Sequence, residues 1–146
     1  MNYKRLIGGF VAAVLATIII ASVIHSHFTI QGLRAVGAEI GPGDAWKLAW
    51  GDLIGLAPTL GAVIAIALLV GFLVAAIVLR FVKLPRWVGY AVAGKAAMIT
   101  ALWLMYLNFD ITPIGSARTT EGLIALGLAG AIGGLLFTWF TRPQKV

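Results

Sequence analysis

Two groups of side chains in this sequence are of types that could carry chemistry. One is Lys95, a lone cation inside the apolar run Trp87 to Leu107. An ionisable group at that depth in a membrane costs from about 2.5 kcal/mol upward and marks a functional position by default. No carboxylate of this chain lies within an apolar run to neutralise it. The spacing favours a milder role. At about 100° per residue, Gly89, Ala93, Ala97 and Ala101 form a ridge opposite Lys95. Val88, Val92, Ile99 and Leu102 share its own face and suit lipid. Snorkelling of the ammonium toward the headgroups is therefore the first expectation. A carboxylate of a partner and a place on an ion or substrate path stand as alternatives.

The other group is polar and lies between the runs: His25 and His27, with Asp52, Asp110, Arg118 and Glu121 on the same side. Imidazoles with carboxylates can hold a divalent metal. Helical residues two apart point about 200° from each other, however, so His25 and His27 cannot chelate together on one helix. Haem held between them is disfavoured for the same reason. Neither metal nor cofactor is expected, and both imidazoles are expected to face solvent at the interface. A pH-sensing role stays open, since imidazole titrates near 6.5. Enzymatic chemistry needs convergent groups within hydrogen-bond reach. The scattered Asp52, Asp110, Ser116, Arg118 and Glu121 supply no recognisable constellation, so no catalytic activity is expected, with a lipid-modifying activity as the minor alternative. Zero cysteines exclude thiol chemistry and disulfides. The glycines of the last run are followed by no Lys-Ser/Thr and form no phosphate loop.

The elements that would position these residues follow from composition. Of 146 residues, 61% are hydrophobic and only 11% charged, against about a quarter charged in soluble proteins. Four runs are long enough for a hydrocarbon core of about 30 Å, namely 6–24, 57–79, 87–107 and 122–140. Their continuity excludes alternating barrel strands. The expected fold is an all-α integral membrane protein, a single domain of four transmembrane helices in a bundle.

Orientation follows from the charges. Lys4, Arg5, Arg80, Lys83, Arg86, Arg142 and Lys145 fall on one side; Arg34, Lys47, Arg118 and all five carboxylates fall on the other. Basic residues are retained in the cytoplasm, so both termini are expected there. The first run exceeds a signal-peptide core and reads as an uncleaved anchor. The membrane expected is the bacterial inner membrane. The net charge of +6 is met by anionic lipid; the short basic hairpin 80–86 offers little to nucleic acid.

Between the first two runs, Gly41-Pro42-Gly43 predicts a break and Asp44 an N-cap. Trp46, Ala49, Trp50 and Leu53 then recur at helical spacing, predicting a short amphipathic helix anchored in the interface, or a surface for a partner. Pro58 is expected in the first turn of the second span. Leu84-Pro85-Arg86 closes one hairpin, Pro113 and Gly115 turn another, and Arg118 and Glu121 could pair.

Small residues recur every fourth position in each run: Gly8, Ala12, Ala16; Ala67, Gly71, Ala75; Gly89, Ala93, Ala97, Ala101; and Gly130, Gly134 beside Ala125, Ala129, Gly133. Such ridges let helix backbones approach closely in lipid. One bundle need not use all of them, so a homo-oligomer or another membrane subunit is the expected partner. The functional expectation is an accessory or scaffolding subunit; the alternative is a small oligomeric channel or transporter, for an anion, using Lys95.

Overall fold

The computed structural model describes residues 3–37, 39, 41–109 and 120–142, leaving aside the side chains at 52, 56, 57, 106, 108 and 109. The described residues form four α-helices and no strand: α1 (Tyr3–Ala35), α2 (Pro42–Phe81), α3 (Arg86–Phe109) and α4 (Thr120–Phe140). All four are long and apolar enough to cross a membrane. Each helix packs on the next in sequence, and α4 returns to α1, so the four close into a ring. Both described chain ends and the link 82–85 lie at one end of the bundle, called here the terminal end.

α1 and α2 are longer than expected. α1 continues through His25 and His27 to Ala35 and stops where Gly37 turns back, its φ of 87° in the left-handed region that favours glycine. The Gly37 N–H donates to the Arg34 carbonyl at 3.0 Å. α2 starts at Pro42 rather than near Ala45. Gly41 is its N-cap, with no side-chain cap bond, so Asp44 is not the cap but a first-turn residue. The physical reason is Pro42, whose fixed φ suits the first helical position and whose missing N–H needs no partner there. Asp44 still faces the partial positive charge of the helix start.

The amphipathic segment 45–53 does not form a helix of its own. It is the beginning of α2, and Pro58, expected in a first turn, lies well inside the helix. It leaves the Ile54 carbonyl without its usual donor, a loss the remaining ladder tolerates. The hairpin at the terminal end agrees with expectation: α2 ends at Phe81, Pro85 precedes α3, and the Val82 N–H closes on the Val78 carbonyl at 2.9 Å.

The small-residue ridges explain the ring, with one correction. α4 turns Gly130 and Gly134 to α3, where a Cβ on Gly94, Gly130 or Gly134 would collide with the facing backbone carbonyl of Gly130, Gly94 or Tyr90. It turns Gly133 to α1, where a Cβ would strike the Thr17 hydroxyl. α2 and α3 meet where Gly71 faces Ala93 and Ala97. On α1, however, the packed ridge is not Gly8, Ala12, Ala16 but the next register: Gly9, Ala13, Thr17 and Ala21 are buried, and Gly8 has no atom within 4 Å of a built Cβ. Both registers are small at every fourth residue, and Thr17 decides between them. Buried completely, it donates to the Ala13 carbonyl at 2.8 Å and so needs no water.

Candidate functional site

The interior is closed in two layers. Near the terminal end each helix contributes one ring: Phe10, Phe72, Tyr90 and Phe137. Phe72 stacks on Phe137 with centroids 4.7 Å apart, while Tyr90 meets Phe137 at 5.0 Å and Phe72 edge-on at 5.5 Å. Phe10 meets Phe72 edge-on at 6.3 Å. Offset and edge-on pairs are the favoured aromatic geometries. Above this box, Leu68, Met98, Leu126 and Thr17 are fully buried and fill the centre.

Toward the far end the α1 side of the interior becomes polar. Thr17, Ser22, His25 and Ser26 are all buried. His25 is only 9% exposed, and its buried Nδ1 has no hydrogen-bond partner in the structure. An unsatisfied buried polar group costs about 1–3 kcal/mol. The expectation that both histidines face solvent is therefore corrected for His25. His27 does face outward, with its Nε2 3.0 Å from Gln31 Nε2. The opposed directions of the two rings follow from their spacing of two on a continuous helix. His25 is turned inward because it continues the series Gly9, Ala13, Thr17, Ala21, the face on which α1 meets its neighbours. That series was the available signal: every fourth residue is small or polar in a helix otherwise rich in Ile, Val and Leu.

The wider polar group is not assembled among the described residues. Glu121 is exposed in the first turn of α4. Asp110, Ser116 and Arg118 lie outside the described residues, as do the expected turn at Pro113 and Gly115 and the Arg118–Glu121 pair, and the Asp52 side chain is not described. Among the described residues no three His, Cys, Asp or Glu side chains come together to hold a metal.

Lys95 is exposed on the outer surface of the bundle and does not enter its interior. Its Cγ would lie 3.3 Å from a Cβ on Gly127, so the stem rests along α4. The surrounding face is less open than its composition suggested. Val92 is exposed, but Ile99 packs against Gly127 and Leu102 is buried. The close approach of α3 and α4 at Gly94 and Gly130 is what covers these flanking residues.

Two features outside the interior complete the surface. An apolar groove of about 590 Å³ runs along the α2–α3 seam, floored by Gly71, Ala93 and Ala97 and walled by Ile66, Val70 and Leu104. At the other extreme, Trp46 and Trp50 stack at 6.2 Å on the exposed side of α2, in line with exposed Ile54, while Ala45, Ala49 and Leu53 are half-buried.

Geometry thus defines, among the described residues, an all-helical four-helix bundle with a packed core, one buried imidazole and a grooved exterior. Compared with known proteins, the chain matches no family model, no curated protein and no solved structure.

Proposed function

We propose that this chain is an integral membrane protein of four spans with both termini in the cytoplasm, serving as an accessory or scaffolding subunit that assembles with itself or with another membrane protein. The placement is supported by its exterior. Ile7, Val11, Leu15, Ile19 and Val23 form one exposed aliphatic stripe on α1, which gives way to His27 and Gln31. Exposed aromatics gather at the two ends: Tyr3, Phe81, Trp87 and Trp139 at one, Trp103 at the other. Trp87 and Trp103 are about 24 Å apart along α3 at about 1.5 Å per residue, the disposition of interfacial aromatic belts. Orientation rests on the basic residues of the terminal end, and the membrane assigned is the bacterial inner membrane.

The observation that carries the accessory reading is the contrast between a packed core and an open α2–α3 groove. Helices associate in lipid by close packing, and a Gly/Ala floor between aliphatic walls is a shape that a further helix fills. The Trp46–Trp50 segment belongs at the headgroup boundary. It continues the exposed apolar stripe of α2, and α2 can incline toward lipid around Gly51, Gly55 and Pro58, where the helix is weakest. No catalytic role is proposed.

Ala96 and Thr100 line the groove and are exposed, so Ala96→Phe and Thr100→Phe fill it without entering the interior. Native mass spectrometry of the chain extracted from its own membranes should show an assembly that these substitutions abolish while helix content persists. A wild-type chain that is monomeric and alone, or an assembly indifferent to both substitutions, overturns the reading. The alternative, an oligomeric anion channel or transporter, places Lys95 on a path between copies. Liposome flux abolished by Lys95→Met with the oligomer intact would favour it.

A further inference from the structure

At the terminal end, where α3 begins and α4 finishes, a pocket of about 390 Å³ opens between the two helices. Its wall is graded in polarity. Ile132 and Leu135, the residues nearest mid-helix, are apolar; Trp87 and Trp139 stand at the rim, each more than half exposed; Arg142, just beyond the end of α4, completes it. Thr138 also lines the pocket, but its hydroxyl donates to the Leu135 carbonyl at 2.7 Å, so its proton is committed. The cationic group in this wall is the Arg142 guanidinium. Leu128, Ile132, Leu135 and Trp139 form one exposed stripe that leads from the pocket along α4.

The surroundings favour negative charge. Lys4, Arg5, Arg80, Lys83 and Arg86 belong to the same end, and the described acidic side chains, Glu39, Asp44 and Glu121, belong to the other. Apolar wall, paired indoles and guanidinium, in that order toward the terminal end, match the profile of a phospholipid: acyl chain, glycerol and phosphate. Indoles prefer the level of the glycerol and headgroup, a guanidinium binds phosphate oxygens through two parallel N–H donors, and basic pockets between membrane helices bind anionic headgroups.

We propose that this pocket is a binding site for one anionic phospholipid, its phosphate on Arg142, its glycerol between Trp87 and Trp139, and an acyl chain along Leu135, Ile132 and Leu128. The site rests on the membrane reading above and fails separately from it.

The test is native mass spectrometry of the full chain in mild detergent with phosphatidylglycerol and phosphatidylcholine of matched acyl chains. The wild-type chain should retain one phosphatidylglycerol in preference. Arg142→Gln should lower that preference about fivefold, the effect of one basic residue near a headgroup. Lys83→Gln removes the same charge from the link 82–85, outside the pocket, and should lower the preference less than Arg142→Gln does, because Lys83 does not line the pocket. Trp139→Ala should lower occupancy with helix content unchanged. Equal losses in Arg142→Gln and Lys83→Gln would mean diffuse charge and no site, and would overturn the proposal. Displacement of the lipid by inorganic phosphate alone would also overturn it, showing a free-anion site. Release of the chain from native membranes by alkaline carbonate would instead refute the membrane reading itself.

Discussion

Gly134→Ala and Gly8→Ala put one methyl group on two helices of the same bundle, with opposite expected outcomes. A Cβ on Gly134 would run into the Tyr90 carbonyl, with the Tyr90 carbonyl carbon and the Ala91 nitrogen, at 2.9 Å, close behind it. Those are backbone atoms of α3 and cannot rotate away, so α3 and α4 must separate. Overpacking of this kind costs about 1–3 kcal/mol. The helix-propensity gain of alanine over glycine returns about 0.5–1 kcal/mol. The expected net loss is about 0–2.5 kcal/mol, after that gain is subtracted from the overpacking cost. At Gly8 no atom lies within 4 Å of the built Cβ, so only the propensity term applies and the variant should be unchanged or up to about 1 kcal/mol more stable. Reversible unfolding in mixed micelles, with increasing fractions of a denaturing detergent and helix content read by circular dichroism, reports both. A Gly134→Ala more stable than wild type would refute the α3–α4 seam described here. A costly Gly8→Ala would return α1 to the register Gly8, Ala12, Ala16.

His25→Leu removes an imidazole whose Nδ1 is buried without a partner; stability in the same titration should stay level or rise by about 1 kcal/mol, and a loss above about 2 kcal/mol would mean that the imidazole makes an interaction essential to the fold. Lys95→Met should leave folding within about 0.5 kcal/mol, because the side chain is exposed and its stem is matched by methionine; a larger loss would show that the ammonium is paired. Gly37→Ala should destabilise the turn after α1 by about 1–2 kcal/mol, since its φ of 87° puts a Cβ against the following carbonyl; faster cleavage by protease between α1 and α2 is the readout, and unaltered cleavage would count against the turn.

Much of the bundle was legible because each span is a continuous apolar run with a Pro or Gly near its end. Pro85 before α3 and the Gly130 and Gly133 arcs of α4 were read in the places where the structure uses them. Other features were hidden for identifiable reasons. Gln31, Arg34 and Lys47 resemble loop residues, yet α1 and α2 carry them on exposed helical faces, so polar composition marked the limit of the apolar run and not of the helix. Pro58 resembled a helix start, although a long helix can absorb one missing hydrogen bond. The α3 face built from Tyr90, Gly94 and Met98 escaped notice because the more regular ridge Gly89, Ala93, Ala97 lies beside it and serves α2. Burial of His25 was hidden because its polar type suggested solvent, although it continues the series Gly9, Ala13, Thr17, Ala21 and a spacing of two sends one imidazole inward and the other outward.

The Gly-rich α4 carries a consequence for how the protein is made. It is made after the other three helices, yet it provides both of the closest helix seams, one to α1 at Gly133 and one to α3 at Gly94 and Tyr90, as well as the Phe137 ring of the aromatic box. Until it emerges from the ribosome, α1, α2 and α3 lack the cover that it gives Thr17 and the Tyr90–Gly94–Met98 face. Closure of the four-helix ring therefore waits on α4. On the membrane reading proposed above, a nascent chain stalled before residue 120 would present a polar, small-residue surface to lipid, the kind of surface that insertion chaperones shield and that quality-control proteases recognise.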